Sequence, residues 1–281
     1  MTTLAGRTLL MSGGSRGIGL AIALKAARDG ANVVMLAKTS HPHPRLPGTV
    51  HTAVAQVEEA GGHGLAVVGD VRRDEDVQRA VDTAVERFGG IDAVVNNASA
   101  LDLRPTREIE MKSYDLMQDI NARGTFLLSK LAIPHLEQRD RAHILTLSPP
   151  IDLRPQWAGS YLAYTMAKYG MSLVTLGLAE ELREAGIAVN SLWPRTTIAT
   201  AAVANLLGGD DTVGRSRTPE IMADAAHAVL VRDSRTCTGN FFIDEEVLAE
   251  EGVTDLDRYR VVPDGPPLEA DLFLDPVGES R

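Results

Sequence analysis

The chain has 281 residues, 44% of them hydrophobic, and its 28 Lys and Arg face 38 Asp and Glu, a formal net charge of −10. This length suits one large α/β domain or two small ones with a full core, and the acidic balance argues against a general nucleic-acid binder, which needs a basic surface to neutralise phosphates. The single cysteine, Cys237, excludes an internal disulfide. No apolar run approaches the roughly 20 residues that span a bilayer, and the polar stretch after Met1 lacks a secretory pattern, so a soluble, cytoplasmic protein is expected.

In chain order, residues 9–11 form a first short apolar run, followed at once by Ser12-Gly13-Gly14-Ser15-Arg16-Gly17-Ile18-Gly19 and a helical pattern over residues 18–29. Glycines in that position permit a tight turn, close approach of a dinucleotide and close helix packing. The helix start then offers free N–H groups to a pyrophosphate. The spacing is G-x-x-x-G-x-G, so it is the placement between strand and helix that gives the turn its meaning. A second run, residues 33–37, ends at Lys38. An acid there would bond a free ribose 2′-hydroxyl and repel a 2′-phosphate. Lys38, with Arg16 in the turn, favours NADP over NAD.

Residues 41–52, rich in proline, stand where the second strand should enter its helix; His41, His43 and His51 lack ligand-spaced partners, and no metal site is expected. Further strands are expected at 66–69, 93–95, 144–147, 188–193 and 241–243, and helices at 74–88 and 161–184. Runs of continuous hydrophobicity suit strands buried on both faces of a parallel sheet, and their alternation with helices predicts a Rossmann-type doubly wound α/β fold. We expect a single domain over residues 1–250, with an acidic, proline-bearing extension, 251–281, packed on it as a plain surface segment, a cover over the site or a dimer contact. Segment 196–217 is expected to be a lid, and its run from Ala201 to Leu207 suggests an apolar pocket.

Within the long helical pattern, Tyr164 and Lys168 stand four apart and so share one face. A tyrosine titrates near pH 10, and a nearby lysine cation favours its phenolate. The pair can therefore act as general acid for reduction or general base for oxidation.

The ordered set Gly13 to Gly19, Asn96-Asn97-Ala98, Asn121, Ser148 and Tyr164 to Lys168 resembles the short-chain dehydrogenases/reductases, over residues 4–245. Segments such as Lys38-Thr39, Leu192-Trp193-Pro194 and Thr238-Gly239-Asn240-Phe241 are similar to the hydroxysteroid-dehydrogenase-like subgroup, some of whose members add a lipid-carrier domain that 281 residues are too few to include. The resemblance implies that Tyr164 is the proton donor and acceptor and that Lys168 also holds the nicotinamide ribose. It implies that Ser148 bonds the substrate oxygen and that Asn121 supports a water relay. The cofactor would lie along Gly13, Gly14, Ser15, Arg16, Gly17, Ile18 and Gly19, then Lys38, Asp70, Val71, Asn96, Asn97, Ala98, Pro194 and Thr196. The implied substrate is a small alcohol or carbonyl compound of lipid- or steroid-like character, and the implied assembly a homodimer or homotetramer. Three departures stand out: Ser99 and Arg195 replace usual glycines, and Ser148 lies 16 residues before Tyr164 where the family spacing is about 13, with Pro149 beside it. A non-catalytic NADP-binding sensor and an interaction protein built around the acidic tail are the alternative readings.

Overall fold

The computed structural model describes residues 3–42, 47–206 and 209–276. Seven parallel strands form one sheet in the order β3-β2-β1-β4-β5-β6-β7. They are β1 Thr8–Ser12, β2 Asn32–Ala37, β3 His63–Val68, β4 Ala93–Asn96, β5 His143–Thr146, β6 Ala188–Trp193 and β7 Phe241–Ile243. The helices are α1 Gly17–Arg28, α2 Val50–Glu59, α3 Asp74–Phe88, α4 Met111–Met117, α5 Gly124–Leu136, α6 Pro155–Ser160, α7 Leu162–Glu181, α8 Ala201–Leu206, α9 Gly209–Gly214, α10 Glu220–Leu230 and α11 Asp244–Glu250.

The strands are apolar throughout because successive residues face opposite sides and both sides are covered. On β1 and β2, Leu9, Met11, Val33 and Met35 pack with α1, α2, α10 and α11. Their neighbours Leu10, Val34 and Leu36 pack instead with α3, α5 and α7. The strand order reverses between β1 and β4, which leaves a crevice outside their carboxyl ends, where ligands bind in open α/β sheets.

Two boundaries differ from the sequence expectation. Strand β3 begins at His63 rather than residue 66, because it is the sheet edge and its first residues are partly solvated. The expected long helix starts at Leu162, after a sharp break at Tyr161 (φ −155°, ψ 64°) that divides it from α6. Residues 41–42 and 47–49 form the irregular entry to α2, capped by Thr49 and Thr52; His43 lies outside the described residues. No helix among the described residues is long and apolar enough to cross a membrane.

After α11 the chain turns back across the sheet's carboxyl edge. Val261 and Thr218 exchange it with the segment before α10, Val261 N–H donating to Ser216 O at 3.1 Å and Thr218 N–H to Tyr259 O at 2.7 Å. Further on, Thr197 N–H donates to Glu269 O at 2.9 Å and Asp271 N–H to Arg195 O at 3.1 Å. The tail thereby runs antiparallel to the stretch following β6.

Candidate active site

The glycine turn sits at the β1/β4 switch point. Gly13 and Gly17 adopt φ of +75° and +55°, a region costly to other residues. Gly19 is fixed by contact, since a Cβ there would stand 2.5 Å from Gly13 O. Asn97 locks the turn from β4, its Nδ2 donating to Gly13 O at 2.8 Å, while Ala98 N–H donates to Ser12 Oγ at 3.1 Å. Helix α1 has neither a side-chain cap nor an acid in its first turn, so its leading N–H groups face the crevice free to meet an anion.

At the carboxyl ends of β2 and β3, Lys38, Asp70 and Arg72 form one cluster. Lys38 Nζ lies 3.1 Å and Arg72 Nη2 2.6 Å from Asp70 Oδ2. The bond from Arg72, aided by Lys38, holds the Asp70 carboxyl well below the usual carboxylate range. Arg72 was not singled out from sequence; its place two residues after Asp70, in the same strand-end loop, was the available signal. Arg16 reaches toward α2, where its Nη2 donates to Gly48 O at 3.3 Å.

Across the switch point, α7 carries Tyr164 and Lys168 into the interior, 6% and 2% exposed. Lys168 Nζ donates to Leu147 O at 2.6 Å and lies 4.8 Å from the centre of the Trp193 ring. Burial pulls the amine down to about 7, against the opposing pull of Asp271. Burial pushes the Tyr164 phenol up, with the Asp271 and Tyr161 charges adding to it. In this arrangement the lysine amine is held by a backbone carbonyl.

Ser148 lies within a chain of buried hydroxyls. It is fully buried, and its hydroxyl pairs with Ser191 Oγ at 2.8 Å, which in turn donates to Thr175 Oγ1 at 2.9 Å. That chain of hydroxyls stitches the end of β5, β6 and α7 together. The Pro149 carbonyl is tied to Ser172 Oγ at 2.7 Å, which fixes the loop after β5 against α7. Asn121 lies fully buried in a π-helical turn, Gln118–Arg123. Its amide both accepts from Ala100 N–H at 2.8 Å and donates to Ala100 O at 3.0 Å, pinning the loop after β4.

After β6, Arg195 N–H donates to the buried Asp244 carboxylate at 2.8 Å and its guanidinium pairs with Glu246 at 2.6 Å. The side chain replacing the usual glycine thus turns toward α11. Thr196 is fully buried with its hydroxyl unpartnered. Segment 196–217 contains α8 and α9, and Thr200 comes within 3.2 Å of a Cβ placed on Gly17. Thr200 therefore lies against the glycine turn.

An uncapped helix start behind a positive-φ glycine turn, an orphaned buried hydroxyl at Thr196 and the Asp70 cluster fit a nicotinamide dinucleotide laid across the switch point. Among the described residues, no group of three or more His, Cys, Asp or Glu is placed to hold a metal ion. Two residues of the 251–281 extension, for which a cover over the site was one expected role, come to the site. The tail brings Asp271 close enough to Lys168 and Tyr164 to shift both, and seats Phe273 against the Tyr164 ring.

Comparison with known proteins agrees with this geometry. Residues 7–234 match the family model described as short chain dehydrogenase. The chain is 54% identical over 277 residues to hydroxysteroid dehydrogenase-like protein 2 of Xenopus laevis, covering 99% of this chain and 66% of the relative. It is 50% identical to the Homo sapiens protein of that name, covering 99% and 65%. It thus spans just under two thirds of the length of these curated relatives. A solved short chain dehydrogenase from Mycobacterium thermoresistibile is 56% identical with a TM-score of 0.92, covering 98% of this chain and 99% of that one. An NADH-dependent reductase solved with NAD is 26% identical with a TM-score of 0.69, covering 85% and 95%. The chain belongs to the short-chain dehydrogenase family, whose members are oxidoreductases that bind a nicotinamide cofactor and act on small molecules.

Proposed function

We propose that this protein is an NADP(H)-dependent oxidoreductase acting on an apolar alcohol or carbonyl compound, with Tyr164 as general acid and base. The observation that carries this reading is the burial of Tyr164 and Lys168 on one face of α7, across the sheet's switch point from an uncapped glycine turn. The cofactor, when bound, supplies or accepts the hydride. The chain orients it: Gly13 to Gly19 and the α1 start take the pyrophosphate, and Thr196 offers its hydroxyl to the nicotinamide end. In reduction, the Tyr164 hydroxyl gives its proton to the substrate oxygen; in oxidation it takes that proton back. Lys168 lowers the cost of the phenolate once its amine, now on Leu147 O, is protonated beside the ribose and tyrosine.

Preference for NADP rests on Lys38 and Arg16, two cations beside the turn with Asp70 already neutralised. The aromatic and aliphatic side chains clustered with Tyr164, among them Met117, Trp157 and Trp193, support an apolar substrate. A homodimer or homotetramer pairing through α5 and α7 is supported by the exposed Phe126, Met166, Leu173 and Leu176 on those helices. NADPH oxidation with a panel of cyclic ketones tests the reading. Tyr164→Phe should lose about 10²- to 10⁴-fold in turnover while NADPH affinity stays within twofold. NADPH binding without turnover in the unaltered protein would favour the sensor instead.

A further inference from the structure

The aromatic cluster at the site is centred on a residue from the far end of the chain. Phe273 is 1% exposed. Its ring centre lies 5.6 Å from that of Tyr161, 6.0 Å from Tyr164, 5.4 Å from Tyr169 and 6.0 Å from Trp193. With Tyr164 it is nearly parallel, at an interplanar angle of 25°. Its backbone has φ of +70°, a region that a residue bearing a Cβ keeps only when its surroundings impose it.

The surroundings that impose it are few and discrete. Trp193 Nε1 donates to Leu272 O at 2.9 Å, and the Phe273 N–H donates to the Tyr161 hydroxyl. Arg154 pairs with Asp275 at 2.9 Å. The rest of the cluster around Tyr164 comes from the domain itself: Met117 from α4, Ala163 and Ala167 from α7, Trp193 and Ile243 from β6 and β7, and Leu101 and Leu103 from the loop after β4. The tail reaches this enclosure from the end of the chain, held also by the Thr197–Glu269 and Asp271–Arg195 backbone bonds after β6.

We propose that Phe273 is the specificity-determining residue of this site: its ring holds the place that the apolar body of the substrate takes beside Tyr164. This rests on the oxidoreductase reading above and names its substrate class, an alcohol or carbonyl compound attached to a ring-sized apolar group. Proton transfer requires a substrate oxygen about 3 Å from the tyrosine hydroxyl, and at 6% exposure Tyr164 offers no room for one while Phe273 is seated. Exchanging one apolar ring for another conserves buried apolar surface, so entry costs little beyond the release of the tail contacts. A small polar carbonyl compound would leave the space beside Tyr161, Tyr169 and Trp193 unfilled and is rejected.

Calorimetric titration of the full chain with benzyl alcohol and with toluene tests this. Phe273→Ala should bind benzyl alcohol at least tenfold tighter than the unaltered protein, because the ring site is already open, and should prefer it to toluene. Adding Tyr164→Phe should abolish that preference. Equal affinity in the unaltered and Phe273→Ala proteins, or a cavity with no preference for the alcohol, overturns the proposal. If Phe273→Ala does not fold, Phe273→Leu makes the same comparison, with at least a threefold gain expected and no gain overturning it. Gained binding of the alcohol without NADPH turnover on any carbonyl compound supports the exchange site and overturns the reaction assigned to it.

Discussion

Lys38 Nζ lies 3.1 Å from Asp70 Oδ2, so the cation closing β2 and the acid closing β3 are one ion pair, shared with Arg72. An acid at this edge would repel a 2′-phosphate if it stood alone; paired with two cations, it leaves the local charge positive. The Lys38 side chain is still 58% exposed, which leaves its ammonium free to meet a phosphate from the solvent side.

Lys38→Ala should therefore weaken NADPH binding by about tenfold, equivalent to about 1.4 kcal/mol, and change NADH binding by less than threefold. Fluorescence titration of both cofactors measures the two constants. Equal weakening would mean that Lys38 acts through the fold of the loop and does not read the phosphate.

Ser148 separates a catalytic from a structural serine. Because its hydroxyl is committed to Ser191 in a fully buried chain, Ser148→Ala should cost about 1–3 kcal/mol of stability and less than about fivefold in turnover. Urea unfolding and steady-state rates report the two effects. A loss near that of Tyr164→Phe would restore the serine to the substrate.

Gly19 is a steric requirement. With Gly13 O 2.5 Å from where a Cβ would sit, Gly19→Ala must push α1 away from the turn. We expect at least a tenfold loss of affinity for NADPH and NADH alike, read by the same titration. A variant that binds both normally would show that the turn relaxes freely.

His143 makes stability depend on pH. Burial, with help from the Arg7 charge, pulls its imidazole down to about 4, while Nε2 bonds Arg232 O at 3.1 Å. The unfolded chain, titrating near 6.5, then binds the extra proton first, so stability falls as pH drops from about 6.5 to about 4, by roughly 3 kcal/mol in all. The buried acids Asp244 and Asp271, pushed up to about 7 and about 8, act in the opposite sense over pH 4 to 8. His143→Gln keeps a donor for Arg232 O, and its unfolding midpoint should rise relative to that of the unaltered protein as pH falls from about 6.5 to about 4. A difference independent of pH would remove His143 from the linkage.

The sheet was legible because its grammar is local. Residues 188–193 and 241–243 coincide with β6 and β7, and residues 74–88 with α3, since each run is long enough or apolar enough to declare its own period. Strand β3 was read late because an edge strand is half solvated and loses that signal. At the site, the glycine turn and the Tyr164–Lys168 spacing were visible for the same reason: each function is encoded within a few consecutive residues.

What the sequence determined by itself is the doubly wound α/β fold, the glycine turn between β1 and α1 and the placing of Tyr164 and Lys168 on one helix face, because strand hydrophobicity, glycine conformation and helical spacing are short-range properties. The tertiary structure alone decided where each hydroxyl, amine and ring is spent. It gave Ser148 to Ser191, Lys168 to Leu147 O and the face of Tyr164 to Phe273. Those partnerships join residues distant in the chain, and they are settled by the packing of strands, helices and tail against one another, which no local pattern records.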